Sequence, residues 1–318
     1  MPNESAPPPG RTIWINGELV PWASATVHVL SHSHQRGSLI FDYMSVHETP
    51  RGPAVFRMVD HVQRFLRSAE LIGFELPRTA DAIGAAIVET VRANPGASAV
   101  KVSAYLPSIE IDVVPADERV TIAIAAYDPL ADIIAKSAAK PHFARVLRVR
   151  LERDTRKMRR DIIPPQAKVA ANYTSPMIAK WKARRAGYDE ILLIDADGHL
   201  AEGPTTNVFL VGKDGRLCTP PTGSILEGIT RASILAIAKH DGRAVSEAPI
   251  APEALFEAAE VFLTGTTAGV WPVTSVDGRP VGSGDIGPVS QALRERFEAI
   301  SSGRDADFDH WLTYVGAA

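Results

Sequence analysis

Ile163-Pro-Pro-Gln-Ala-Lys168-Val-Ala-Ala-Asn-Tyr173 and, downstream, Leu200-Ala-Glu202-Gly-Pro-Thr-Thr-Asn-Val-Phe209 are the two stretches that govern the reading of this chain. The first sets one lysine among small and apolar neighbours, just ahead of a helix predicted over 174–186. Burial lowers the pKa of an amine, and an amine must lose its proton before it can attack an aldehyde. Lys168 is therefore a candidate nucleophile, although a lysine taken alone reads first as a solvated surface charge. Glu202 follows the turn signal Asp197-Gly198 and taken alone reads equally well as a turn residue.

Working outward, 318 residues with 45% hydrophobic and 22% charged side chains are enough for a soluble protein with a sizeable core, and two domains are expected. A net charge of −3 gives no electrostatic case for nucleic acid or an anionic membrane, so a small-molecule function fits better. Cys218 is the only cysteine, which excludes an internal disulfide framework and any multi-cysteine metal site. The first ten residues are polar and proline-rich, without the pattern of a signal peptide, and are expected to be disordered. No apolar run is long enough for a membrane span. These features predict a cytoplasmic enzyme.

Hairpins are predicted over 12–20, around Asn16-Gly17, and over 39–57, around the proline and glycine of 49–53. Val62, Phe65, Leu66, Ala69 and Ile72 recur at helical spacing within 58–73, and a second helix is predicted over 79–93. Strands over 99–106 and 119–126 complete a small N-terminal domain, residues 1–127. The pattern weakens over 128–140, which reads as an interdomain linker, and a larger C-terminal domain over 141–318 carries Lys168. Within it, strands are predicted over 144–150, 190–195 and 207–211, and a helix over 229–240. The mixture is α+β, not a serial βαβ array.

The order of the two opening stretches resembles the fold-type IV, or class IV, aminotransferases, which depend on pyridoxal 5'-phosphate. In that family a lysine followed by Asn-Tyr is answered downstream by Glu-Gly and Asn-Val-Phe, as here. The resemblance spans about 12–300 and implies two α/β domains of the D-amino-acid/branched-chain aminotransferase-like fold. It implies Lys168 as the cofactor-bearing lysine, Tyr173 as the partner of the cofactor's ring hydroxyl, and Glu202 facing its ring nitrogen. A carboxylate there keeps the nitrogen protonated and the ring able to store an electron pair.

The phosphate requires donors. In His61-Val-Gln-Arg64, Arg64 matches the family's phosphate arginine, whose planar fork suits that anion. Glu227-Gly-Ile229-Thr230 opens a helix whose first amides can point at an anion. Thr264-Gly-Thr266-Thr267 follows a strand, and the family places a phosphate-binding threonine at Thr266. Local alternatives for these are a surface salt bridge and a simple helix cap.

The substrate pocket is expected to be lined by Arg36, Phe41, Tyr43, Ser45 and Lys101. Phe41-Asp42-Tyr43-Met44-Ser45-Val46 departs from the Phe-Glu-Gly-Ile-Arg usual in branched-chain enzymes and lies closer to the (R)-selective amine transaminases. Lys101 stands near where branched-chain enzymes place a carboxylate-binding pair. Other segments, such as Gly187-Tyr-Asp-Glu190, favour the branched-chain enzymes. The reading leans to (R)-amine or D-configured donors, with L-branched-chain amino acids as the alternative and an aminodeoxychorismate-type lyase behind both. A homodimer is implied, with the site near its interface. His28, His32 and His34 lack a companion set of ligands, so no metal is expected. The basic run over 153–160 reads as a solvated loop at the site entrance.

Overall fold

The structure, a computed structural model, describes residues 10–136, 146–157 and 159–316. Residues 1–9 of the stretch 1–10 expected to be disordered, the end of the predicted linker and the first residues of the strand predicted over 144–150 lie outside these. The chain divides into two compact units: one gathers 1–142, 167–171 and 301–318, and the other 143–166 and 172–300.

In the first unit, β1 (Thr12–Ile15) and β2 (Glu18–Pro21) form the expected hairpin. Asn16 and Gly17 both have positive φ, 51° and 119°, as its two-residue turn requires. After a short helix α1 (His32–Arg36) come β3 (Ile40–Thr49), β4 (Gly52–Phe56), helices α2 (Met58–Leu71) and α3 (Ala80–Ala93), then β5 (Ala99–Tyr105) and β6 (Thr121–Tyr127). Among the described residues these strands make an antiparallel seven-stranded sheet, ordered Leu312–Tyr314, β4, β3, β5, β6, β1, β2. In β3, Ile40, Asp42, Met44 and Val46 are buried and the intervening residues half-buried. This alternation gives the sheet one face against α2 and α3 and another bearing Phe41, Tyr43 and Ser45.

The segment read as a linker begins in this unit as two helical turns, Pro129–Ile133 and Ile134–Lys136. The Asp128 carboxylate accepts from the amides of Leu130 and Ala131 and starts the first of them.

In the second unit, β7 (Leu147–Arg156), helix α4 (Thr174–Arg185), β8 (Glu190–Ile194), β9 (Asn207–Val211) and helix α5 (Ile229–His240) follow the predicted order, with an unpredicted strand β10 (Leu217–Thr219) between β9 and α5. They are joined by β11 (Val245–Glu247), β12 (Glu260–Gly265), β13 (Gly269–Val276), the two-residue β14 (Arg279–Pro280) and helix α6 (Pro288–Ser301). The sheet runs β11, β10, β9, β12, β13, β7, β8, with β14 paired to β13. β8 and β9 are buried throughout, and Phe209 stacks on Phe262 at 5.0 Å between adjacent strands.

The basic run read as a loop is in part strand. β7 continues to Arg156, and its pairing with β8 steps from Glu152↔Leu193 to Arg156↔Ile194, so 153–155 form a bulge. The buried Glu152 carboxylate accepts from the amides of Asp154 and Thr155 and holds that bulge closed.

Glu260, buried at the start of β12, caps α6: its carboxylate accepts from the amides of Val289 and Ser290 and from Ser290 Oγ, at 2.9, 2.7 and 2.6 Å. Replacing Glu260 with alanine orphans these donors and is expected to lower the unfolding free energy by about 2–4 kcal/mol, measured by denaturant unfolding, with Glu260→Gln losing less.

Candidate active site

In the first unit α2 turns a buried polar stripe, His61, Arg64 and Ser68, towards β3. The spacing of three and four residues keeps them on one helical face. Asp42 meets them from the strand, wholly buried. Arg64 Nε and Nη2 donate to its two oxygens at 2.9 and 2.7 Å, and His61 Nδ1 donates to Oδ1 at 2.7 Å. Burial alone would raise the Asp42 pKa, but Arg64 and His61 outweigh it and hold the carboxyl well below its usual range. Burial pushes His61 below its ordinary 6.5 despite the attraction of Asp42. The Asp42–His61 contact is thus a neutral imidazole donating to a carboxylate whose countercharge is Arg64. Two of the three Arg64 nitrogens face Asp42, whereas the sequence reading aimed the fork at phosphate.

Lys168 belongs to this unit, against the expectation that the C-terminal domain carries it. Residues 168–171 lie along the start of β3: Phe41 N donates to Lys168 O at 3.0 Å, Ala170 N to Leu39 O at 2.8 Å, and Ala171 N to Gly37 O at 3.1 Å. Lys168 N donates to Ser68 Oγ at 3.0 Å. Ile40 pairs with Val169, and both are buried. By the two-residue period of a strand, Phe41 and Lys168 take the opposite face. Their side chains meet there, Lys168 Nζ 4.9 Å and Lys101 Nζ 4.7 Å from the centroid of the Phe41 ring. Burial and the neighbouring Lys168 charge push the Lys101 pKa down. Tyr43 pairs with Lys101 in register, and Ser45 Oγ lies 2.8 Å from His47 Nε2 on the same face. Arg36 instead donates to Ile111 O at 2.8 Å and secures the 109–114 stretch.

In the second unit Glu202 is buried, and its carboxylate accepts from Asn207 Nδ2 at 2.9 Å and from Leu226 N at 3.2 Å on each oxygen. Lys157 Nζ stands 2.5 Å from its Oε1. Asn207 opens β9 and also donates to Leu226 O, tying this turn to the start of α5. The helix cap is Gly228, where no side chain caps the first amides and where an added Cβ would fall 1.9 Å from Asn207 Oδ1. Ile229 and Thr230 are buried on its first turn. Thr266 and Thr267 form the turn after β12, whose Thr264 pairs with Asn207. A Cβ at Gly265 would come within 3.3 Å of Thr205 O and Thr206 Cγ2. Thr206 Oγ1 and Thr264 Oγ1 are buried without a hydrogen-bond partner. Tyr173, half-buried, ends the helical turn Ala170–Tyr173.

Each unit thus offers one part of what a phosphorylated pyridine aldehyde requires. The first holds a lysine whose backbone is fixed alongside a strand. The second holds a buried carboxylate beside an uncapped helix start and orphaned hydroxyls suited to an anion. Asp42 and Lys157 had no role in the sequence reading, and Asn207 entered it only as part of the family motif. The signal for Asp42 was an acid at a buried strand position opposite the 61, 64, 68 stripe.

The family model for amino-transferase class IV matches residues 39–276. The chain is a class IV aminotransferase. It is 35% identical to the branched-chain-amino-acid aminotransferase of Escherichia coli (strain K12), over 95% of this chain and 97% of that one. It is 33% identical to that of Pseudomonas aeruginosa over 95% and 97%. Among solved structures, the branched-chain aminotransferase of Thermoproteus uzoniensis with norvaline superposes with a TM-score of 0.87 at 33% identity, covering 96% of this chain and 99% of that one. The branched-chain amino acid aminotransferase of Thermobaculum terrenum in its PLP-form gives 0.86 at 29% identity, covering 97% and 99%. The enzyme therefore has the two-domain α+β fold of its family and depends on pyridoxal 5'-phosphate.

Two outcomes follow for the aminotransferase. Gly228→Ala, which forces Asn207 away from Glu202, is expected to weaken cofactor affinity at least tenfold in absorbance titrations, with little change in secondary structure by circular dichroism. His61 takes up its proton at lower pH in the folded state than in the unfolded chain, whose ordinary value is 6.5, so its contribution to stability is full above that pH and falls as pH drops below it. Urea unfolding between pH 7 and 5 should show this loss, and His61→Asn should flatten it.

Proposed function

We propose that this enzyme transfers amino groups from L-branched-chain amino acids to 2-oxoglutarate by a ping-pong mechanism, and that it does so as a homodimer. The observation that carries the choice of an amino acid over a simple amine is Lys101. Its ammonium shares the Phe41 ring with Lys168 on a half-buried face. Two cations in poorly solvated surroundings repel each other, and an anion between or beside them relieves both. An amino acid brings such an anion as its α-carboxylate; an (R)-amine brings none. The full-length similarity to enzymes named for branched-chain amino acids points the same way. Phe41, Tyr43 and Ser45 remain the feature that favours (R)-amines, since Tyr43 and Ser45 stand where branched-chain enzymes carry glycine and arginine. No comparison backs that leaning, and L-branched-chain donors are the better-supported reading.

When bound, pyridoxal 5'-phosphate supplies an aldehyde to carry the amino group and a ring to take up electrons. Lys168 would hold it covalently, Glu202 would accept a hydrogen bond from its protonated ring nitrogen, and Tyr173 would bond its ring hydroxyl. The amides of Ile229 and Thr230, with Thr266 and Thr267, would hold the phosphate, and Arg64, whose Nε and Nη2 are engaged by Asp42, would contribute through Nη1. Displaced by the incoming amine, Lys168 would serve as the base and acid of the proton transfer, its Nζ taking up the donor's α-proton and holding it until it is given back to the cofactor-bound carbon that receives it. Its strand pairing to β3 limits that movement to the side chain.

The proposed dimer rests on exposed apolar surface. Val27, Val29 and Leu30 are exposed, as are Ile109, Ile111, Val113 and Val114, with Ile111 95% accessible. A Ser31–Ile109 bridge joins the two stretches within the first unit. Such a patch is what a second copy would cover. A cytoplasmic location is proposed from the cysteine usage alone.

Lys168→Ala is expected to abolish transamination and covalent cofactor attachment. Mixing the yellow holoenzyme with L-leucine, D-alanine or (R)-1-phenylethylamine should bleach it with L-leucine. Bleaching by (R)-1-phenylethylamine alone would overturn the substrate assignment, and release of pyruvate without an acceptor would indicate a lyase. The double substitution Ile111→Glu with Val113→Glu should shift the light-scattering mass towards the monomer and reduce activity.

A further inference from the structure

Lys157 occupies the carboxylate on which the proposed cofactor site depends. Its Nζ is 2.5 Å from Glu202 Oε1, and the two side chains are 11% and 5% exposed. The opposite side of Glu202 is filled by Asn207 and Leu226. The placement of Lys157 is built into the sheet. The bulge of 153–155, closed by Glu152, brings the next residues back to β8, where Lys157 N donates to Ile194 O at 2.9 Å. One position away, Leu193 N donates to Glu202 O. The backbone of Lys157 is thereby fixed, and only its four-carbon arm can move. That arm has somewhere to go, for Lys157 also lines a cavity of about 290 Å³ whose other charged residues are Asp195, Asp197 and Asp161 with Arg159 and Arg160. Arg159 is paired to Asp161, which leaves the two aspartates of 195–197 to receive the ammonium.

We infer that Lys157 is the resident counter-ion of Glu202, which gives up its place to the cofactor's ring nitrogen and swings into the cavity beside Asp195 and Asp197. This rests on the reading that Glu202 is the ring-nitrogen partner. A buried carboxylate left with two neutral donors is costly, so the pair protects the cofactor-free protein. A protonated ring nitrogen brings the same kind of charge-assisted donor, so one cation replaces another and the carboxylate is never left alone. The exchange has a thermodynamic signature. Lys157 stabilises the empty protein more than the loaded one, and by linkage it weakens cofactor binding. It is a positioning residue that sets affinity, with no contact to the reacting atoms.

The test uses pyridoxamine 5'-phosphate, which binds without covalent attachment, on the full-length protein freed of cofactor. Lys157→Gln should tighten its Kd about tenfold. It should also lower the thermal midpoint of the cofactor-free protein while leaving that of the saturated protein nearly unchanged. Lys157→Arg, which keeps the charge, should restore the wild-type affinity, and the effect of Lys157→Gln should vanish in a Glu202→Gln background. Unchanged or weaker binding by a folded Lys157→Gln protein overturns the inference, as does equal destabilisation of both forms. The underlying reading has its own arm. Glu202→Gln should erase the preference for pyridoxamine 5'-phosphate over its counterpart with CH in place of the ring nitrogen. If that preference survives, Glu202 is not the partner of the ring nitrogen and both ideas fall. If it is lost but Lys157→Gln does not tighten binding, only the exchange fails.

Discussion

The pairing of residues 168–171 with the start of β3 is the constraint from which the chemistry of the first unit follows. β4 pairs with β3 only over Val46–Thr49, so the backbone near Ile40 is open on that side. The lysine segment takes it, with three backbone hydrogen bonds and the Ser68 hydroxyl holding Lys168 from both its amide and its carbonyl. Register then does the rest. Because Val169 pairs with Ile40 in the buried layer, Lys168 must lie on the layer of Phe41, and a slip of one residue would bury the amine and expose the valine.

The same strand sends Asp42 to the other side of the sheet. A wholly buried carboxylate is tolerated there because Arg64 supplies the countercharge and His61 a further donor, and α2 is positioned by that contact. One β-strand therefore serves two electrostatic ends. Its buried face neutralises charge to lock a helix, while its other face sets Lys101 and Lys168 beside one aromatic ring. The first arrangement is structural, and the second is the one on which the proposed preference for an anionic donor rests.

Much of this was legible in the sequence where the signal is local. The Asn16-Gly17 turn, the helix Ile229–His240 and the strand Asn207–Val211 fall as expected, because turn chemistry, capping and short apolar runs act over a few residues. The family motif around Lys168 and Glu202 was equally plain. Nonlocal contacts were not. No periodicity reveals that the lysine segment leaves the unit that follows it in sequence and pairs with a strand more than a hundred residues earlier. Charged residues over 153–156 read as loop, yet a bulge lets a strand carry them with their side chains exposed, and Glu152 breaks the alternation by turning inward to hold that bulge. Arg64 was read from its type as a phosphate ligand. Its type could not reveal Asp42, which engages two of its nitrogens.

Both units handle charge by the same principle with opposite sign. Around Lys168 two cations are gathered at one aromatic ring; around Glu202 a buried anion is kept company by a lysine on a fixed backbone and a movable arm. Burying charge costs several kcal/mol per ion unless it is paired, so neither arrangement is what stability alone would select. On the proposed reading each would accept a group of complementary charge, an anion in the first unit and a protonated ring nitrogen in the second. Groups held before the ligand arrives need no reorganisation when it does, and the stability given up in the empty protein reappears as differential affinity for what fills it.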